Sequence, residues 1–111
     1  MKRLRVRWSN LAKSNLADLI EDVVRASGSI DVALRYSDRL EARCRRIGEV
    51  PLSRRPRDDL AAGLRSLPFE WSAIIFYVVE SDHVLISNVF RRGRDYEAVL
   101  RGRSSPESSE V

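Results

Sequence analysis

Near the N-terminus apolar and polar residues alternate. Val6 and Trp8 sit between Arg5, Arg7 and Ser9, a period of two that predicts a short strand. From Ala12 the spacing changes to threes and fours through Leu16, Leu19, Ile20, Val23 and Val24, which lines one side of a helix. Ser9 offers an N-cap oxygen, and Gly28 can take the left-handed position that ends a helix. Ser29 caps a second helix, with Asp31 facing the positive end of its dipole. Its stripe is Ala33, Tyr36, Leu40, Cys44 and Ile47, with arginines and acids filling most other positions. Gly48 and Pro51 close it. Two amphipathic helices joined at a glycine predict a helical hairpin.

Residues 49–57 are rich in proline and arginine and read as a loop. The period then returns to two over residues 64–69. Ala73 to Val79 is an unbroken β-branched and aromatic run, the mark of a strand covered on both faces. Glu80 to His83 form a turn without glycine, Val84 to Phe90 the next strand, and Asp95 to Leu100 a short helix. Residues 102–111 lack any period and read as a loose tail. The expected fold is α+β: an N-terminal strand, a helical hairpin, a three-stranded antiparallel sheet and a short C-terminal helix. In order this is β-α-α-β-β-β-α, with the helices on one sheet face. It forms a single domain over residues 1–101.

Composition narrows the function. The chain has 111 residues, 43% apolar and 32% charged, which suits one soluble domain with one modest core. No apolar run approaches the roughly 20 residues of a membrane span. The basic N-terminus lacks the apolar segment of a signal peptide, so a cytoplasmic protein is expected. Cys44 and His83 stand alone in type, so neither a disulfide nor a metal or cofactor site is expected. Of the 20 basic residues only Lys2 and Lys13 are lysine, leaving 18 arginines and a net charge of +4. Arginine forks suit carboxylate or phosphate, so charge alone permits an acidic protein or a nucleic acid as partner.

Several runs, taken together, resemble a known family. They are Arg55-Pro56-Arg57-Asp58-Asp59-Leu60, Gly63-Leu64-Arg65-Ser66-Leu67-Pro68-Phe69, Ile75-Phe76-Tyr77 and Arg94-Asp95. With Trp8-Ser9, Ala12 and Asp18-Leu19 they are similar, in order and spacing, to the ParE branch of the RelE/ParE toxins. The match spans about residues 4–100. Two positions depart from the pattern: Arg54 stands where the family often has glycine, and Arg91 where it often has histidine. The resemblance implies the toxin half of a type II toxin–antitoxin pair, neutralised by a small antitoxin that wraps it. It implies DNA gyrase as the target, with no catalytic residues of its own. A homodimer or a toxin–antitoxin hetero-oligomer both stay open, and neither a membrane nor direct nucleic-acid binding is expected.

The alternative is a RelE-like ribosome-dependent ribonuclease, in which Arg65 and Arg94 would hold a phosphate and Tyr96 would move a proton. A third reading is an inactive antitoxin-binding module. For target or partner binding, the candidates are Arg91, Arg92, Arg94 and Arg101 (with Arg103) in the basic closing run, and Trp71 in a turn. Trp71 is either an interface anchor or a residue packed on Pro68. Arg57, Asp59, Arg65 and Asp95 read as structural: Arg65 forking Asp58 or Asp59, and Asp95 capping the last helix. Leu4, Val6 and Trp8 are expected to leave apolar surface on an edge strand open to an added strand or helix. Cys44 reads as a small core residue.

Overall fold

The computed structural model describes residues 3–93 and 96–103, without the side chains of residues 102 and 103. The expectations for Arg94, Asp95, the Arg103 side chain and the tail from residue 104 lie outside the described residues. The elements are β1 (Arg5–Trp8), α1 (Asn10–Ser27), α2 (Ile30–Ile47), β2 (Arg55–Pro56), β3 (Leu64–Phe69), β4 (Ala73–Val79), β5 (His83–Arg91) and α3 (Tyr96–Arg103). The α+β class and the order of elements are as the sequence predicts, apart from β2, which is added within the stretch read as a loop. The last helix runs past the Leu100 expected as its end.

The helix ends follow their sequence signals. Ser9 Oγ accepts from the Ala12 amide at 2.9 Å, and Ser29 Oγ from the Val32 amide at 3.1 Å. Gly28 turns left-handed at φ 71°, and its N–H reaches the Val24 carbonyl. Gly48 serves a different purpose. Its φ is −62°, which any residue adopts. A side chain there would run into the backbone carbonyl of Leu4, whose own N–H donates to the Gly48 carbonyl at 2.9 Å. Gly48 is thus the point where the end of α2 and the approach to β1 touch backbone to backbone.

The sheet has five strands in the order β1-β5-β4-β3-β2. Its centre is the antiparallel β3-β4-β5 meander expected. Two features widen it. β1 joins parallel to β5, with Arg5 opposite His83 and Trp8 opposite Ile86. Within the stretch read as a loop, Arg55 and Pro56 pair with Ser66 and Arg65 as a second edge strand.

Strand alternation gives the sheet two apolar faces, and both are covered. On one, Tyr36, Leu40, Cys44 and Ile47 of α2 and Ala12 and Leu19 of α1 pack on Leu67, Phe69, Ile75, Tyr77 and Ile86. Leu4, Val6 and Trp8 pack against this same core, so the apolar side of β1 faces inward. The edge surface expected there is not apolar. On the other face Leu60, Leu64, Phe76, Phe90 and Leu100 form a smaller cluster. α3 therefore lies opposite the helical hairpin, not beside it, because Phe76 and Phe90 need cover of their own. Cys44 is fully buried, and burial pushes its thiol up to about 12, as befits a core residue.

Candidate functional site

The β1 edge carries an open cleft of about 720 Å³ between β1 and α2. The period of two in β1 turns Val6 and Trp8 inward and leaves Arg5 and Arg7 exposed. Arg3 precedes them, and Arg45 and Arg46 approach from the last turn of α2. Two carboxylates line the cleft, and both are engaged. Glu49 accepts from Arg3 at 2.9 Å, and Asp82 bonds His83 Nδ1 at 2.7 Å. That bond, with the positive field of His83, holds the Asp82 carboxyl below its ordinary range. Among the described residues, Arg5, Arg7, Arg45 and Arg46 form no ion pair. Their charge is open to a partner. The alternation of arginine at positions 3, 5 and 7 was the available signal for this cleft.

The opposite edge holds a second arginine cluster with a different character. Arg54, Arg55 and Arg57 line a cavity of about 340 Å³ on the α3 face, together with Ile74 and Tyr96. The Arg57 side chain is 12% exposed and forks Asp59 through two bonds of 3.0 Å. Glu97 lies 3.4 Å away, and Tyr96 lines the same cavity. The bonds to Asp59 dominate: they drive the Arg57 pKa up and the Asp59 pKa down. The expected Arg65 fork to Asp58 or Asp59 is therefore replaced. Asp59 belongs to Arg57, and Asp58 accepts the Gly63 amide at 2.9 Å. Arg65 instead donates to the carbonyls of Arg54 at 2.6 Å and Leu52 at 3.4 Å, tying down the loop before β2.

Of the ribonuclease constellation, the two described members, Arg65 and Tyr96, stand apart on the sheet. Arg65 is paired with Tyr77, and Tyr77 belongs to the core under the helical hairpin. Directly paired antiparallel residues share a face. Tyr96 lies on the other face, its ring 5.2 Å from Phe76 and 6.3 Å from Phe90. The sheet separates the two groups.

The closing arginines disperse as well. Arg91 reaches Asp22 of α1 at 3.2 Å on the hairpin face. Arg101 sits on α3, with Glu97 3.9 Å away. Arg92 lies over the ring of Trp71, guanidinium carbon 4.6 Å from the centroid. Trp71 is 80% exposed and is not packed away on Pro68. No sequence pattern pairs Arg92 with Trp71, which are brought together by the register of β4 on β5.

The arrangement comprises one open basic cleft, one exposed aromatic under an arginine, and a second arginine cluster in which Arg57 is held by carboxylates. Among the described residues no group of histidine, cysteine and carboxylate side chains could hold a metal ion, and no helix is long and apolar enough to cross a membrane.

A family model described as the ParE toxin of type II toxin–antitoxin systems, parDE, matches residues 6–96. The fold is similar to a solved chain of the chromosomal ParDE toxin–antitoxin system from P. aeruginosa. The TM-score is 0.70 at 19% identity, over 80% of this chain and 96% of that one. No curated protein matches the chain. Its sequence runs, its β-α-α-β-β-β-β-α order and the span of the family match agree, and the chain belongs to the ParE toxin family of type II toxin–antitoxin systems.

Proposed function

We propose that this toxin acts by binding proteins: an antitoxin that neutralises it and, when it is free, DNA gyrase, whose DNA-cleavage complex it traps. The observation that carries the choice of binding over hydrolysis is the division of Arg65 from Tyr96 by the sheet. Cleaving a phosphodiester needs cations and a proton-transfer group around one phosphorus. Here Tyr96 shares its cavity with Arg54, Arg55 and Arg57, and the most enclosed of these, Arg57, already forks Asp59. The purified toxin is expected to abolish gyrase supercoiling and to accumulate linear DNA, while leaving translated message intact. Unchanged supercoiling would remove gyrase as the target. Codon-positioned cuts in a translating extract would restore the ribonuclease.

The β1–α2 cleft is the proposed seat of the antitoxin, and its charge calls for an acidic segment. Its arginines point outward from a core that does not depend on them. Arg5→Glu combined with Arg45→Glu is expected to weaken antitoxin binding at least tenfold without changing the melting temperature. Affinity for the wild type should fall as salt rises. Equal affinity in the double variant would place the antitoxin elsewhere.

A further inference from the structure

We propose that the β3–β4 turn is a preformed docking point, at which Trp71 and Arg92 enter an apolar socket rimmed by carboxylate on the protein this toxin inhibits. The inference rests on the toxin reading and deepens it, by naming the surface that meets the target and the chemistry of what it meets.

The turn is held in a conformation its residues resist. Glu70 and Trp71 have φ of 49° and 59°, the region that favours glycine or asparagine. Such strain persists only where surrounding contacts enforce it, and it gathers at sites of function. The contacts here are several. Arg39 of α2 forks Glu70 with bonds of 2.8 and 3.0 Å, which also pulls the Glu70 carboxyl below its ordinary range. Tyr36 of the same helix bonds Ser72 Oγ at 2.6 Å, and its ring meets Phe69 edge-on at 5.5 Å. The Ser72 amide closes the turn on the Phe69 carbonyl at 3.0 Å, and the Arg92 amide reaches the Ser72 carbonyl at 2.8 Å. Glu70, Ser72 and Phe69 are thereby anchored to the body. Trp71 alone projects, with Arg92 fixed over one side of its ring.

An exposed tryptophan on a backbone already anchored loses less freedom on binding, and tryptophan and arginine are among the residues enriched at the energetic centre of protein interfaces. The partner's chemistry follows from the pair. The uncovered ring asks for an apolar socket, and the guanidinium asks for a carboxylate at its rim. A nucleic-acid strand fits less well: sequential base stacking uses several aromatics along a basic groove. Here one ring stands on a convex tip, with the Glu70 carboxylate beside it. The seat proposed for the antitoxin is separated by position. Arg91 is opposite Ala73 at the turn end of β5, while His83 is opposite Arg5 at the cleft end. Eight residue rises lie between, about 26 Å along the strand.

The test compares Trp71→Ala, Trp71→Gly and Arg92→Glu with the wild type, each expressed in growing cells and each purified with the antitoxin encoded beside it. All three variants are expected to lose growth inhibition at least tenfold, read as the expression level needed to halt growth, while still co-purifying with the antitoxin. Trp71→Gly relieves the backbone and is expected to melt no lower than the wild type, so its loss of inhibition cannot come from unfolding. Full inhibition by Trp71→Ala would overturn this inference alone. Loss of antitoxin co-purification in these variants would overturn it by assigning the turn to the antitoxin. Quenching of Trp71 fluorescence by duplex DNA would overturn it in favour of a nucleic acid. A wild type that leaves growth unchanged would remove the toxin reading, and this inference with it.

Discussion

The two edges of the sheet carry the same residue type, and particular arginines at each are treated oppositely. At the β1 edge, Arg5, Arg7, Arg45 and Arg46 surround an open cleft and form no ion pair among the described residues. At the β2 edge, Arg54 and Arg55 are likewise without an ion pair among the described residues, but Arg57 is nearly enclosed and shared between Asp59 and Glu97, and Arg65 is bonded to two backbone carbonyls. An arginine whose donors are already satisfied holds a fold together, and one whose donors meet only water is available to a partner. Richness in arginine says little by itself; the tally of answered donors separates structure from function.

The sharpest way to break the comparison is at Gly48, which lets α2 and β1 converge to form the cleft. Gly48→Ala would drive a methyl group into the Leu4 carbonyl, which, being backbone, cannot swing aside. Overpacking of this kind costs about 3 kcal/mol. Urea unfolding is expected to show that loss, and antitoxin affinity to fall with it, because β1 and its arginines must shift. Stability within 0.5 kcal/mol of the wild type, a margin roughly that of a neutral surface change, would mean that the two backbones do not meet.

The next effect belongs to the other edge. Arg57→Ala removes two charge-assisted bonds to Asp59 and the packing of a nearly buried side chain. The partner carboxylates are about half exposed, so water recovers part of the difference. A loss of about 2 kcal/mol is expected. Arg65→Ala should lose less, about 1 kcal/mol, since it releases carbonyls at an exposed loop. In both variants growth inhibition should fall only with the amount of folded protein. Complete loss of inhibition by a folded Arg65→Ala protein would instead give that residue a direct role.

Legibility in the sequence followed the range of each signal. Ser9, Gly28 and Ser29 act within one helical turn, and each was readable from its neighbours. The Ala73–Val79 run named its own strand, because burial on both faces leaves no polar position. β2 was not readable: two residues carry no period, and they extend only because β3 offers an unpaired edge. The Arg57–Glu97 contact spans 40 residues, and the Arg92–Trp71 stack depends on strand register. Arg65 misled for a plain reason. Both of its expected partners were nearby carboxylates, but strand alternation turned it to the face opposite Arg57, and Asp59 went to the arginine two positions away.

The smallest expected effect concerns acid. Bonds from Arg57 hold the Asp59 carboxyl below its ordinary value of 3.8. A carboxyl depressed by folding binds its proton more weakly in the native state than in the unfolded chain. Its contribution is complete above the unfolded value and fades as pH falls through the lower folded one. Glu70, depressed by Arg39 from an ordinary 4.5, behaves in the same sense. Both sites lie away from the β1 cleft. Stability measured between about pH 5 and pH 2 should therefore fall more steeply in the wild type than in Asp59→Asn, which has no proton to gain there. Matching slopes would show that the fork to Arg57 is not maintained in solution. The distinction between the two edges would then rest on burial of Arg57 alone.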